Sequence, residues 1–278
     1  MSASSLAVSI ITYRRSHLLD SCLRSLSIAM SKNQYPVFII IQDADEDDLA
    51  ILRKYDNIVT EIIHVDVGDK NVEDLINSNR IRAWEFPLIS RGYQYVICLE
   101  DDVEVSPDIF KFTEQALAQV GRCRNFWGIN YGSFEKPVES STYSKLRYGL
   151  HGPASLISKR SLERFNLNWL MRFHGKIPWD SWVEPLVRTG FMVTSNVSRY
   201  RDNGYSGTHA TLENNSEYFQ KLNESFVHGL RTVATNYYHR DLEHHWRADC
   251  RIYVTQRKIR HYIEFIALRT YQILKALA

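Results

Sequence analysis

The sequence has few cysteines, and they form no recognisable metal-binding or redox motif. The four are widely spaced, with no CxxC pair and no zinc-type spacing of Cys and His; they are Cys22, Cys98, Cys123 and Cys250. A zinc finger, a zinc ribbon and a thioredoxin-like redox site are therefore excluded. Cys98 lies inside an apolar run, so we expect a buried free thiol, which favours a reducing compartment.

Long hydrophobic runs and a strong net charge are also lacking. No segment has the roughly 20 consecutive apolar residues that span a bilayer, and the N-terminal residues do not resemble a secretory signal. We therefore expect a cytoplasmic protein, or one bound peripherally to the cytosolic face of a membrane. The formal net charge is only +2, which argues against a nucleic-acid partner.

The first half of the sequence alternates between apolar strand-like runs and segments with helical spacing. The predicted strands are 7–12, 37–41, 60–65 and 95–99, and the predicted helices are 18–30, 47–55, 71–89 and 106–120. This alternation predicts an α/β fold with a mostly parallel sheet flanked by helices. Polar clusters follow three of the strands, at 12–15, 42–45 and 100–102. We expect them to meet at the carboxyl edge of the sheet, where ligands bind.

Three consecutive carboxylates, Glu100, Asp101 and Asp102, directly follow the last of these strands. Adjacent like charges repel one another, whereas a hard divalent cation would remove that repulsion and could bridge diphosphate oxygens. The alternative is a solvated acidic turn that leads into the next helix. That helix is predicted to start with Ser106 as its N-cap and a proline in its first turn.

The segment 95–112, YVICLEDDVEVSPDIFKF, resembles the metal-binding segment of the N-acetylglucosaminyltransferase I family, and the likeness extends over most of residues 6–220. The resemblance implies a glycosyltransferase of the GT-A type, with a Rossmann-like sheet, an acceptor-side second half and a UDP-sugar donor. It implies a divalent cation, Mn²⁺ or Mg²⁺, bound directly by Asp102. It also implies contacts of Glu100 and Asp101 with uridine, and N-acetylglucosamine as the first candidate for the transferred sugar.

The same resemblance assigns roles to residues that follow the first two predicted strands. Residues 12–14, beginning with Thr12, occupy the place of the family's first-strand loop, in which an arginine reaches the donor diphosphate. Arg14 is the matching position. After the second strand, Gln42 and Asp43 resemble the family's Gln-Asp pair, in which the acid holds the uracil. Thr12, Arg14 and Asp43 are thus implied to bind the donor.

Asp180 is the candidate catalytic base in the second half of the chain. It is flanked by Trp179 and Trp182, and apolar walls would raise the proton affinity of its carboxylate so that it could deprotonate an attacking hydroxyl. The resembling family has Trp-Asp-Asp-Trp here, and its first Asp is the proposed base of an inverting reaction. This chain departs from that pattern at Ser181. Glu184 is the alternative base, and Asp180 could instead cap a helix.

A glycine-containing stretch at 148–155 is predicted to lead into a helix that runs to Phe165. By the resemblance it lies near the place where the donor sugar and the acceptor meet. Gly152 would allow close approach of the backbone. His151 could donate a hydrogen bond to a sugar hydroxyl, or it could have only a structural role.

A second polar stretch, 203–209, is similar to the family's Gly-rich loop that orders over the bound donor. Gly207 and His209 are therefore implied as donor contacts, and His209 also as a second metal ligand. Loops of this kind commonly act as lids that exclude water from the site.

The last predicted helix runs from Arg257 to Ala278 and has an apolar face beside basic residues. This pattern predicts either peripheral contact with an anionic membrane or packing of the apolar face on the domain. The chain is thus expected to comprise a nucleotide-sugar-binding half at 1–125, an acceptor-binding half at 126–225 and a helical extension at 226–278.

Together these patterns predict a metal-dependent, inverting glycosyltransferase that transfers a sugar from a UDP-sugar to a hydroxyl of a glycan or glycolipid. Two alternatives stay open. One is a polysaccharide glycosyltransferase of the same fold with another nucleotide-sugar donor, and the other is a non-catalytic protein that binds glycans or nucleotide-sugars. A nucleotidyltransferase is disfavoured, because it usually has a Gly-rich loop after the first strand and residues 12–16 contain no glycine.

Overall fold

The computed structural model describes residues 5–65, 72–123, 126–133, 143–147, 152–163, 191–204 and 212–233. The strands are β1 (Leu6–Tyr13), β2 (Val37–Gln42), β3 (Val59–Val65), β4 (Tyr95–Glu100), β5 (Val103–Val105), β6 (Phe126–Asn130), β7 (Tyr143–Arg147), β8 (Ala154–Ser158), β9 (Phe191–Ser195) and β10 (Tyr200–Asp202). The helices are α1 (Ser16–Ala29), α2 (Glu46–Lys54), α3 (Val72–Glu85), α4 (Ile109–Val120), α5 (Lys159–Leu162) and α6 (Leu212–Val233), and a π-helical turn (Phe86–Ser90) continues α3.

Eight of the described strands form one sheet in the order β3-β2-β1-β4-β8-β6-β9-β7. Neighbours within β3-β2-β1-β4 are parallel, as are β6 and β9. β8 runs antiparallel to both β4 and β6, and β7 runs antiparallel to β9. The predicted α/β fold with a mostly parallel sheet flanked by helices is confirmed. The predicted division of the chain at 125 and 225 stays a prediction.

Both faces of the sheet are covered, which explains why its central strands are nearly continuous apolar runs. On one face, alternate residues of β1 (Leu6, Val8 and Ile10) belong to a cluster with apolar side chains of α1 and α4. On the other face, Trp84 of α3 clusters with β4 residues. Every residue of β2 is buried as a result.

The described cysteines are all free thiols. Cys98 is completely buried, so the predicted buried free thiol is confirmed, while the predicted reducing compartment stays a prediction. Among the helices that the structure describes, none has the length and hydrophobicity needed to cross a bilayer.

Residues 154–158 form a strand, so the helix predicted to lead from 148–155 to Phe165 was wrong over these residues. This strand, β8, lies between β4 and β6, and all five of its residues are buried. A short, fully buried apolar run has no periodicity that separates a strand from a helix. The helix that follows is the single turn α5, whose N-cap Ser158 accepts a hydrogen bond from the Ser161 amide at 3.1 Å.

The helix α4 begins at Ile109, so the prediction of Ser106 as its N-cap was also wrong. The Ser106 hydroxyl donates to Oδ1 of Asp108 at 2.6 Å, and the Ser106 carbonyl accepts from the Ile109 amide at 3.1 Å. Asp108 occupies the N-cap position without a side-chain capping hydrogen bond. Residues 106–108 thus form a turn between β5 and α4.

Gly128 in β6 lies against the backbone of β8. A Cβ atom at this position would be 1.8 Å from the carbonyl oxygen of Leu156. Gly128→Ala should therefore separate the strands and lower the free energy of unfolding by about 2–3 kcal/mol in urea denaturation.

Gly92→Ala is the control for this prediction. A Cβ atom on Gly92 would meet nothing within 4 Å, so only the φ of 79° at this residue is unfavourable for alanine. We expect that control to lose about 1 kcal/mol; equal losses would contradict the role of close strand approach.

Candidate active site

The carboxyl ends of β1, β2 and β4 lie side by side at one edge of the sheet. Tyr13 of β1 pairs with Gln42 of β2. Ile11 of β1 pairs with Glu100 of β4. The loop before β8 reaches the same edge, because the Pro153 carbonyl accepts a hydrogen bond from the Glu100 amide at 2.9 Å. The three polar clusters predicted from the sequence therefore meet here.

Asp101 is completely buried and holds the loop that follows β1. The Thr12 hydroxyl donates to its Oδ2 at 2.8 Å, and Nε of Arg15 donates to the same oxygen at 3.2 Å. Burial raises the pKa of Asp101 to about 7, although the Arg15 charge opposes this rise. Thr12 and Asp101, both predicted as donor contacts, are thus in contact with each other, and Asp101 fixes Arg15.

Asp102 presents a buried oxygen without a hydrogen-bond partner in the described part of the chain. The residue is only 8% exposed. Nη1 of Arg15 donates to its Oδ2 at 2.9 Å, whereas Oδ1 has no hydrogen-bond partner among the residues that the structure describes. Burial and the Glu100 charge raise the pKa of Asp102 to about 6. A buried carboxylate oxygen is unfavourable without a cation or a donor, so the predicted metal ligand fits a hard divalent cation.

Glu100 forms an ion pair with Arg80, a fully buried residue of α3. Nη1 of Arg80 also donates to Sγ of Cys98 at 3.2 Å, so the arginine is anchored against β4. The Glu100 side chain keeps a third of its surface exposed at the sheet edge. Sequence reasoning missed Arg80. The available signal was its spacing, four residues before the buried Trp84 on the same predicted helix.

Arg14 and Asp43 form an ion pair at the ends of β1 and β2. Both have a left-handed backbone conformation, with φ values of 48° and 45°. This conformation is uncommon outside glycine and is concentrated at functional sites. Arg14, the residue predicted to contact the diphosphate, therefore lies next to Asp43, the residue predicted to contact the uracil. Arg15, which sequence reasoning missed, is the arginine that contacts Asp101 and Asp102.

A further carboxylate, Asp202, lies beside Asp102, and sequence reasoning missed it too. Asp202 ends β10, which pairs with β5 in an antiparallel ribbon. Next to it, the Asn203 amide donates to the Asp102 carbonyl at 2.8 Å. Burial and the Asp102 charge raise the pKa of Asp202 to about 7. The only sequence signal was its place directly before the polar stretch 203–209.

The sequence model of the GNT-I family matches residues 2–228, which is most of the chain. The chain belongs to the GNT-I family. Membership confirms the resemblance inferred from residues 95–112 and makes the chain a member of a glycosyltransferase family.

The chain is similar to the galactosyltransferase LgtC in complex with donor and acceptor sugar analogues, with 12% identity, a TM-score of 0.40 and coverage of 59% of this chain and 61% of that one. It is also similar to an active-site mutant of LgtC, with 12% identity and a TM-score of 0.41. That match covers 62% of this chain and 66% of the mutant chain. The chain thus spans less than two thirds of the length of these solved chains. No curated protein matches it.

Several residues that the sequence singled out lie outside the described part of the chain, and their roles stay predictions. They are His151, Asp180, Glu184, Gly207 and His209, and so are the residues of the helix predicted from 257 to 278. Within the described part, no group of three or more His, Cys, Asp or Glu side chains is arranged to hold a metal ion.

Arg15 is the counterion of two buried carboxylates in this GNT-I family member. Arg15→Met should therefore lower the free energy of unfolding in EDTA by about 2 kcal/mol. This loss is smaller than that for a fully buried pair, because the Arg15 side chain is one-third exposed. Urea denaturation measures the loss. Arg14→Met is the matched control, because its pair with Asp43 is about half exposed and should contribute less than about 0.5 kcal/mol. Equal losses would show that Arg15 does not neutralise the cluster.

Proposed function

We propose that this protein is a divalent-cation-dependent, inverting glycosyltransferase that moves a sugar from a UDP-sugar to a hydroxyl of a glycan or glycolipid. N-acetylglucosamine is the proposed sugar. GNT-I family membership supports the transferase class. The single observation that carries the cation and donor assignment is the buried Oδ1 of Asp102, which has no hydrogen-bond partner among the described residues. It lies at the carboxyl edge of the sheet, where open α/β sheets bind their ligands.

Asp102 would hold the cation through Oδ1, and Arg15 lies beside it. When bound, the cation would neutralise the charge that develops on the nucleoside diphosphate leaving group. Mn²⁺ and Mg²⁺ both suit oxygen ligands. Arg15 would stabilise the same negative charge, and Asp101 would keep its guanidinium in place.

Asp43 and Glu100 are assigned to the uridine. They lie at the ends of the two strands that flank β1. Both carboxylates are partly exposed, and each is held by an arginine: Asp43 by Arg14 and Glu100 by the buried Arg80. Asp101 is completely buried, so it acts through other side chains, as a positioning residue.

Asp180 is the proposed base, because an inverting transfer needs a carboxylate on the acceptor side to deprotonate the attacking hydroxyl. Gly207 and His209 are proposed to belong to a lid that excludes water, which would otherwise compete as acceptor. These roles rest on the sequence. So do the proposed cytoplasmic location and the proposed peripheral membrane contact of residues 257–278.

The test is to incubate the protein with a panel of UDP-sugars and GDP-sugars, with and without Mn²⁺, and to measure nucleoside diphosphate release before and after adding candidate acceptors. Cation-dependent release from one UDP-sugar is expected. Release only from a GDP-sugar would favour a polysaccharide transferase with another donor. Donor binding without turnover on any acceptor would favour a non-catalytic binding protein.

The Asp180 assignment is tested separately from donor binding. Asp180→Asn should abolish transfer to the acceptor while the affinity for the UDP-sugar stays within about twofold of wild type, because a general base contributes to the chemical step. Glu184→Gln is the matched control. Loss of transfer in Glu184→Gln alone would reassign the base.

A further inference from the structure

The ribbon of β5 and β10 brings a second buried carboxylate to the site of Asp102. Asp202 pairs with Val103, the residue that follows Asp102 in the chain. The Asn203 amide then donates to the Asp102 carbonyl at 2.8 Å. Backbone pairing therefore fixes Asp202 beside Asp102, independently of any attraction between the side chains.

The two carboxylates border the same small space, next to Gly204. A Cβ atom on Gly204 would lie 2.7 Å from Oδ2 of Asp102 and 3.0 Å from Oδ1 of Asp202. Asp202 is only 7% exposed and Asp102 only 8%. Two buried carboxylates therefore lie close together, and they can do so because residue 204 has no side chain.

Neutral groups make the contacts described for the Asp202 carboxylate. The Gly204 amide donates to Oδ1 at 2.8 Å, and the Tyr218 hydroxyl lies 3.4 Å from Oδ2. Arg201, the preceding residue, pairs with Glu104 instead. Asp102 has Arg15 on Oδ2 and, among the described residues, no partner on Oδ1. Of the three buried carboxylates here, Asp101 and Asp102 share Arg15, and the contacts described for Asp202 add no positive charge.

We propose that Asp202 is a second protein ligand of the divalent cation, together with Asp102. A hard cation takes several oxygen ligands at once, and it would convert the repulsion between these two carboxylates into attraction. The inference rests on the proposed function for the presence of the cation. It goes beyond that function by assigning a ligand from the two-stranded ribbon of β5 and β10.

The alternative is that Asp202 only shapes the turn into residues 203–209 through its bond with the Gly204 amide. Asp202→Asn separates the two roles, because asparagine keeps Oδ1 as an acceptor and removes the charge. Glu104→Gln is the matched control on the same ribbon, where the carboxylate pairs with Arg201. Gly204→Ala is a second variant, which keeps both charges and places a methyl group between them.

The experiment is a Mn²⁺ titration followed by the electron paramagnetic resonance signal of free Mn²⁺, with and without UDP. We expect Asp202→Asn and Gly204→Ala to weaken Mn²⁺ binding at least about tenfold in both conditions, and Glu104→Gln to stay within about twofold. Normal Mn²⁺ affinity in Asp202→Asn, with a loss in Asp102→Asn, would overturn the role of Asp202 and leave the proposed function intact. No Mn²⁺ binding by the wild type in either condition would overturn the proposed cation dependence, and this inference with it.

Discussion

Asp102→Asn is expected to lower cation-dependent release of nucleoside diphosphate from the donor by a factor of about 10³ or more. The substitution removes the buried carboxylate whose Oδ1 lacks a described partner and whose Oδ2 contacts Arg15. Asparagine has nearly the same shape, so the turn between β4 and β5 should persist. What is lost is the negative charge that would hold the cation beside the developing charge of the leaving group.

Steady-state kinetics with saturating Mn²⁺ measure this effect. Glu104→Gln is the control, because Glu104 lies two residues further along the same ribbon and pairs with Arg201. It should retain the wild-type rate within about twofold, since a partly exposed ion pair contributes little. Wild-type turnover in Asp102→Asn would mean that Asp102 is not a ligand of a catalytic cation.

Arg199→Leu is expected to lower the free energy of unfolding by about 3–5 kcal/mol. Arg199 and Asp108 are both nearly buried, and Nε of Arg199 lies 3.2 Å from Oδ2 of Asp108. Nη1 of Arg199 also donates to the Val197 carbonyl at 3.0 Å, and the guanidinium lies 4.9 Å from the centroid of the Phe112 ring. Leucine would leave the Asp108 carboxylate buried without its counterion, which is the costly way to break such a pair.

Arg201→Leu is the matched control for this prediction, two residues away. Its pair with Glu104 is partly exposed, so a loss below about 1 kcal/mol is expected. Urea denaturation followed by circular dichroism compares the two variants. The double variant Arg199→Leu with Asp108→Leu should recover part of the lost stability, because it removes the unpaired charge as well. No recovery would assign the effect to lost packing.

The strand ends and the acidic cluster could be predicted because their signals are contiguous in the sequence. Glu100, Asp101 and Asp102 are consecutive and directly follow a buried strand. The carboxyl ends of parallel strands must also meet at one edge. The segment 95–112 therefore indicated the fold and a candidate site, and the family match agrees with the resemblance that this segment carries.

The partners of those acids could not be predicted, because they depend on tertiary contacts. Asp202 reaches Asp102 only through the pairing of β5 with β10. Arg80 reaches Glu100 only because its side of α3 faces the sheet. Arg15 contacts Asp101 and Asp102, whereas Arg14, which has a left-handed backbone conformation, does not. Sequence patterns carry little information about such a conformation outside glycine.

The helix wrongly predicted across residues 154–158 has a different cause. β8 is the antiparallel strand inserted next to β4, and all five of its residues are buried. Burial on both faces removes the alternation of polar and apolar residues that identifies a strand. Tertiary position decided the structure of this segment.

The central claim is that the carboxyl edge of this sheet binds a nucleoside diphosphate together with a divalent cation. Calorimetric titration of UDP into the wild-type protein, with Mn²⁺ and then with EDTA, tests it most directly. We expect saturable UDP binding that is at least about tenfold tighter with Mn²⁺ than with EDTA, and we expect Asp102→Asn to lose it. The absence of UDP binding in both conditions would contradict the central claim.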